Sequence, residues 1–243
     1  GCCDCCNHKL RPTTLSKDEF KVLSSEILKL IVLGQKMHHG ASPQELKKYK
    51  VFLQSMRPYE VVIDGLNIAY EGKKDSRGSL SNILQLVDSL RSMGKKNILL
   101  IGRAHMDWWS KSKMDLIKNR VDVFLTKNLS EDDSFLLHVT MMSGFHTCFV
   151  SNDLMKEHKN KLPDAALREL FKRWQLSRQY RFKRLKKDSQ PKLIPPLEYR
   201  MEAQESEDGW HLPYANSTGL RMSDEMKSPA GWLCLKTRKC RNS

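Results

Sequence analysis

Apolar residues in the first part of the chain recur at helical spacing. Ser16 and Glu19 form a capping box, and Phe20, Leu23, Ile27, Leu30 and Ile31 follow on one face, which predicts a helix to about Gly34. Ser42-Pro43-Gln44-Glu45 opens a second helix, with Pro at its first position and Leu46, Tyr49, Val51, Phe52 and Leu53 partly lining a face up to Met56. The period then changes. Glu60-Val61-Val62-Ile63-Asp64-Gly65 is a short β-branched run with the pattern of a buried strand that closes in a loop. A helical stretch from Leu80 to Met93, ended by Gly94, leads to a second apolar strand, Asn97 to Gly102. The rhythm continues with a helix near Met114–Ile117, a strand Val121–Phe124, a helix from Glu131 to Met142 and a fourth strand Thr147–Val150. This alternation predicts an α/β fold: a Rossmann-like parallel sheet with helices on both faces, whose ligands gather outside the carboxyl ends of the strands.

Four acids fall where that topology converges. Asp64 ends the first strand, Asp132 and Asp133 open the helix before the fourth, and Asp153 follows the fourth in Val150-Ser151-Asn152-Asp153. Carboxylates gathered in one crevice repel one another unless a cation neutralises them, so a hard divalent ion such as Mg²⁺, one or two of them, suits the position. Such ions generate a nucleophilic water and stabilise the charge on a phosphodiester undergoing attack. Each acid also has a plainer explanation. Asp132 and Asp133 suit a helix N-terminus, Asp64-Gly65 suits a turn, and Asp153 suits a cap on Leu154–His158.

The chain has 243 residues, 40% of them hydrophobic, enough for a substantial core, and a formal net charge of +14. That charge favours a polyanionic partner but does not by itself separate nucleic acid from a membrane surface. It is unevenly spread: residues 172–200 carry ten Lys or Arg against two acids, with Trp174, Tyr180 and Phe182 among them. Arg178, Arg181, Lys183 and Arg184 are the candidates for gripping a phosphate backbone, against the alternative of a solvated helix face. Pro191, Pro195 and Pro196 predict an extended or looping end to this tract. Four of the seven cysteines lie in the first six residues, which suits a metal site better than a disulfide framework. Cys3/Cys6 and Cys2/Cys5 are alternative C-x-x-C pairs, and either needs two further ligands for tetrahedral zinc. No apolar run approaches the roughly 20 residues of a membrane span, so no membrane insertion is expected. The chain opens without Met or an apolar leader and reads as a fragment or processed chain from which a targeting segment is absent.

The blocks Val61-Val62-Ile63-Asp64-Gly65-Leu66-Asn67, Ser130 to Leu137 and Asn152-Asp153-Leu154-Met155-Lys156-Glu157-His158 resemble the catalytic blocks of protein-only RNase P, above all in its animal mitochondrial form. The likeness continues through Leu162-Pro163-Asp164-Ala165, Trp174-Gln175, Trp210 to Tyr214 and Trp232 to Leu235. It implies a PIN-like metallonuclease domain of the NYN type. It also implies Mg²⁺-dependent hydrolysis that removes the 5′ leader of precursor tRNA and leaves a 5′ phosphate on the tRNA. The family's metal-binding acids match Asp64, Asp132, Asp133 and Asp153. Its structural zinc matches Cys3, Cys6, His211 and Cys234, giving a small split zinc-binding domain from residues 1–58 and 201–243 around a nuclease domain at 59–200. By the same likeness the partners are precursor tRNA, a tRNA methyltransferase subunit and a short-chain dehydrogenase subunit, and the location is the mitochondrial matrix. No pentatricopeptide repeat is evident, so the chain corresponds to the zinc and nuclease portion. Two rivals stand beside it: another NYN or PIN-like endoribonuclease acting on mRNA, and a non-catalytic RNA-binding module.

Overall fold

The computed structural model describes residues 2–33, 42–72, 78–127, 132–183, 190–207, 209–214 and 230–236. Helix α1 (Lys17–Leu33) starts at the expected capping box: Ser16 Oγ accepts from the Glu19 amide at 3.1 Å, and the Glu19 carboxylate accepts from the Ser16 amide at 2.7 Å. Helix α2 (Pro43–Ser55) follows an N-cap Ser42 whose hydroxyl accepts from the Glu45 amide at 3.3 Å. Strand β1 (Val61–Asp64) is buried along its whole length and runs straight into helix α3 (Gly65–Tyr70). The loop expected after Asp64-Gly65 is therefore a helix start, because the Asp64 carboxylate accepts from the Asn67 amide at 3.1 Å and caps it. Gly65 is required there for a separate reason: a Cβ would stand 2.8 Å from the Ile101 carbonyl oxygen on the adjacent strand.

Helix α4 (Leu80–Ser92), strand β2 (Ile98–Arg103), a 3₁₀ turn (Ala104–Trp108), helix α5 (Lys111–Lys118) and strand β3 (Asp122–Thr126) come next. Helix α6 (Asp132–Ser143) leads to strand β4 (Cys148–Val150), then α7 (Lys156–Asn160), α8 (Ala165–Arg178), β5 (Gln179–Lys183) and β6 (Lys192–Ile194). The six strands run in the order β3-β2-β1-β4-β5-β6, parallel except for the antiparallel β6. Among the described residues, the basic tract supplies the end of α8 and strands β5 and β6, and β6 is the extended segment expected beside Pro191 and Pro195.

Two apolar layers cover the sheet. On one face Phe20, Leu23 and Ile27 of α1 and Tyr49 of α2 pack with Phe135, Phe149, Phe171 and Trp174. Helices α1 and α2, drawn in the sequence with the zinc-binding segment, therefore share a core with the sheet. On the other face Ile68, Ile83, Leu86 and Leu90 pack with Ile98, Leu100 and Met114. A separate antiparallel sheet comprises β7 (Gln204–Ser206), β8 (Gly209–Tyr214) and β9 (Gly231–Lys236), with His211 directly opposite Cys234. The amino terminus joins it, since Cys3 and Leu10 are buried against Trp232.

Candidate active site

Asp64 closes the central strand of the parallel sheet and is only 6% exposed. Its carboxylate is held from two sides: one oxygen accepts from the Asn67 amide, the other from the Ser151 hydroxyl at 2.7 Å. Ser151 follows β4, whose Val150 pairs with Ile63, so the strand register delivers its hydroxyl to the carboxylate. Asp153 is tied down next door. Its amide donates to Ser151 Oγ at 3.0 Å, and its carboxylate accepts from the Met155 amide at 2.5 Å, with Met155 in the left-handed region at φ 50°. The sequence alternative that Asp153 caps the next helix does not hold, since α7 begins at Lys156 with Met155 as its N-cap.

Asp64, Asp133 and Asp153 line one open cavity of about 360 Å³ together with Leu66, Asn67, Tyr70, Glu71 and Asn152. The side chain of Asp132 lies outside the described residues. Asn152 joins the parts of the wall: its amide donates to Asn67 Oδ1 at 2.8 Å, its side chain donates to Glu71 at 3.0 Å and to the Phe182 carbonyl at 2.9 Å, and its Oδ1 accepts from the Phe182 amide at 3.0 Å. A second cavity, about 590 Å³, shares Asp133, Asn152 and Asp153 and adds Arg103, Lys156 and His158. The result is a crevice in which the carboxylates of the first cavity adjoin Arg103 and Lys156, with Glu157 beside them. The carboxylates of Asp64, Asp133 and Asp153 are hard oxygen donors in an open, polar setting, a donor set that fits Mg²⁺.

Glu71 and Ser151 are absent from the sequence expectations. Asn67, Tyr70 and Glu71 stand at i, i+3 and i+4, a helix-face signal concealed by the expected loop. Nothing in the sequence marks Ser151, which matters only through strand register.

A second cluster forms at the small sheet. The ligating atoms of Cys3, Cys6, His211 and Cys234 all lie within 4.8 Å of one another. Sγ of Cys234 is 3.1 Å from Sγ of Cys3 and 3.4 Å from His211 Nδ1, and Nε2 of His211 meets Ser206 Oγ at 3.0 Å. Cys5 instead donates to the Trp232 carbonyl at 2.9 Å and Cys2 is exposed, so the Cys3/Cys6 pair is the one that converges. Burial works to raise the Cys3 pKa. Hydrogen bonding from Cys234, the Cys5 and Cys6 backbone and His211 outweighs it and brings the thiol to about 6, toward the thiolate a metal requires. Three sulfurs and one imidazole nitrogen fit tetrahedral zinc.

Across residues 1–234 the chain matches the family model for protein-only RNase P. The chain belongs to the protein-only RNase P family. The chain is 34% identical over 242 residues to the mouse mitochondrial ribonuclease P catalytic subunit, covering 98% of this chain and 41% of that protein. The rat counterpart is also 34% identical, with 40% of its length covered. The chain thus spans about two fifths of these relatives. The crystal structure of nuclear proteinaceous RNase P 2 from A. thaliana superposes with a TM-score of 0.64 at 21% identity over 96% of this chain and 47% of that one, a likeness of fold.

The basic tract divides by the polarity of β5. Arg178 sits at its amino end, stacked over the Phe145 ring at 5.0 Å, whereas Lys183 ends the strand at the same carboxyl edge as Asp64. Arg181 is 6% exposed, and Arg173 is buried in an ion pair with Glu19 at 2.6 Å. Arg184 lies outside the described residues. Of the candidates Arg178, Arg181, Lys183 and Arg184, Arg181 is buried in the sheet, Arg178 stands at the opposite strand end from the carboxylates, and Lys183 stands at their edge.

Proposed function

We propose that this chain is the nuclease portion of a mitochondrial RNase P catalytic subunit and that it removes the 5′ leader of precursor tRNA, leaving a 5′ phosphate on the tRNA. The observation that carries the reading is the convergence of Asp64, Asp133 and Asp153 on one crevice at the carboxyl edge of the sheet, in a chain of this family. These three, with Asp132, would hold one or two Mg²⁺ ions. Bound there, the metal would supply an activated water and neutralise charge developing on the phosphodiester.

The chain's own residues set up that chemistry. Ser151 and the Asn67 amide fix the Asp64 carboxylate where it lines the crevice. Asn152 locks α3 to the β4 and β5 ends, so the carboxylates share one rigid floor. Lys183, at the same edge, is positioned to meet backbone phosphate. Cys3, Cys6, His211 and Cys234 would hold one structural zinc that joins the two chain ends. A tRNA methyltransferase subunit and a short-chain dehydrogenase subunit would complete the assembly in the mitochondrial matrix.

The test uses the full chain, combined with those two subunits, on a 5′-extended precursor tRNA in Mg²⁺. Cleavage by the wild type is expected, and Asp133→Asn should abolish it while binding stays within about 2-fold, since one carboxylate contributes little to phosphate-dominated affinity. Unchanged cleavage by Asp133→Asn would refute the assignment.

A further inference from the structure

An aromatic group beside the crevice takes no part in the chemistry above. Tyr70 lines the carboxylate cavity, its ring packs edge-on against Trp109 at 5.6 Å, and Trp109 packs in turn against His105 at 5.2 Å. Trp108, the next residue along the same 3₁₀ turn, is 87% exposed. A packed Trp buries about 150–250 Å², so a Trp left in water forgoes the largest apolar gain any side chain offers. The turn that carries it is nonetheless firmly held. Met106 is fully buried beneath it, Asp107 pairs with Lys118 at 2.8 Å, and Trp109 is wedged where a Cβ on Gly78 would collide with it. Because the turn follows β2 directly, it lies at the carboxyl edge of the sheet, as Asp64 does. Lys111 and Lys113 are exposed just beyond it. An exposed indole on a firmly held turn, flanked by cationic side chains, is an arrangement that holds single-stranded nucleic acid, bases on the ring and phosphates on the charges.

We propose that Trp108 is a stacking platform for a base of single-stranded RNA running out of the carboxylate crevice, which on the function proposed above is the 5′ leader. Bases on the tRNA side of the cut are paired and stacked within the acceptor stem. The leader is the unpaired continuation of the 5′ strand beyond the cut, so the platform serves the leader and reads no sequence, whereas use by the unpaired 3′ end would appear as an equal loss on leader-free tRNA.

The test measures binding of the full chain and of Trp108→Ala and Trp108→Phe to three RNAs: a short oligoadenylate, a tRNA with a leader of several nucleotides, and the same tRNA without a leader. Trp108→Ala should weaken oligoadenylate and leader-bearing tRNA by about 5-fold or more and leave leader-free tRNA unchanged, because one base-aromatic stack is lost. Trp108→Phe should retain most of the affinity, and melting temperatures should match, since the indole touches no core. Equal affinity of Trp108→Ala and wild type for oligoadenylate would overturn the platform, as would an equal loss on leader-free tRNA. A loss on oligoadenylate alone, with leader-bearing and leader-free tRNA both bound as by the wild type, would keep the platform and count against the RNase P reading instead.

Discussion

Asp64 caps helix α3 through one carboxylate oxygen and receives the Ser151 hydroxyl on the other, so its orientation is fixed before any ligand arrives. Removing an outer hydrogen bond of this kind typically costs about 10–100-fold in metal affinity or activity. Ser151→Ala should therefore raise the Mg²⁺ concentration for half-maximal cleavage by about 10-fold. The lost buried hydrogen bond should cost only about 1 kcal/mol of stability. A Mg²⁺ titration beside a melting curve separates the two effects. Asn152 carries more: its side chain bonds both Glu71 and the backbone of Phe182. Asn152→Ala leaves the Phe182 amide without this partner and should lower stability by about 1–3 kcal/mol, read by chemical denaturation.

Helix α1 shows how one element is tied to the sheet. Its Phe20, Leu23 and Ile27 enter the core, and Glu19, already committed to the capping box, accepts from the Arg173 guanidinium of α8 at 2.6 and 3.1 Å. The Arg173 hydrogen bond, aided by the Ser16 amide, holds the Glu19 carboxyl below its ordinary value of 4.5. A depressed folded value means that this contribution is complete above about pH 4.5 and is lost as pH falls through the lower, folded value. Arg173→Ala should thus flatten the acid limb of the stability profile. Fully buried pairs lose about 3–5 kcal/mol when broken, and the part-exposed Glu19 reduces this to about 2 at neutral pH. Much at this scale was legible in the residues: the capping box, the Pro43 helix start and the β-branched strands all have local causes. The helix after Asp64 was not, because Asp-Gly serves a turn and a helix cap equally well until the Ile101 carbonyl closes over Gly65. Nor was the fate of the basic tract. Arg173 owes its burial to Glu19, far away in sequence, and Arg181 lies buried in the sheet, and spacing carries no trace of either. The three described acids converge as the parallel topology requires, whereas Ser151 and Glu71 depend on register and helix phase.

At the scale of the molecule, the amino terminus and the last strand meet at the Cys/His cluster, and Cys3 and Cys234 are 231 residues apart. A metal holding both would constrain almost the whole chain, and ligands that assemble only on folding make binding energy part of folding energy. Cys6→Ser should reduce bound zinc from one per chain to nearly none, measured by elemental analysis, and lower the melting temperature. The net charge of +14 adds a further expectation: RNA affinity should fall steeply with salt, with a slope that Lys183→Ala reduces by about one. The central claim, that the carboxylate crevice cuts precursor tRNA at the end of its leader, is tested most directly by mapping the 5′ end of the product. The chain, assembled with the two proposed partner subunits, should release a tRNA whose first nucleotide is the mature one and carries a 5′ phosphate, and the product should be missing with Asp133→Asn. A cut at any other position, or product of the same amount from the variant, would contradict it.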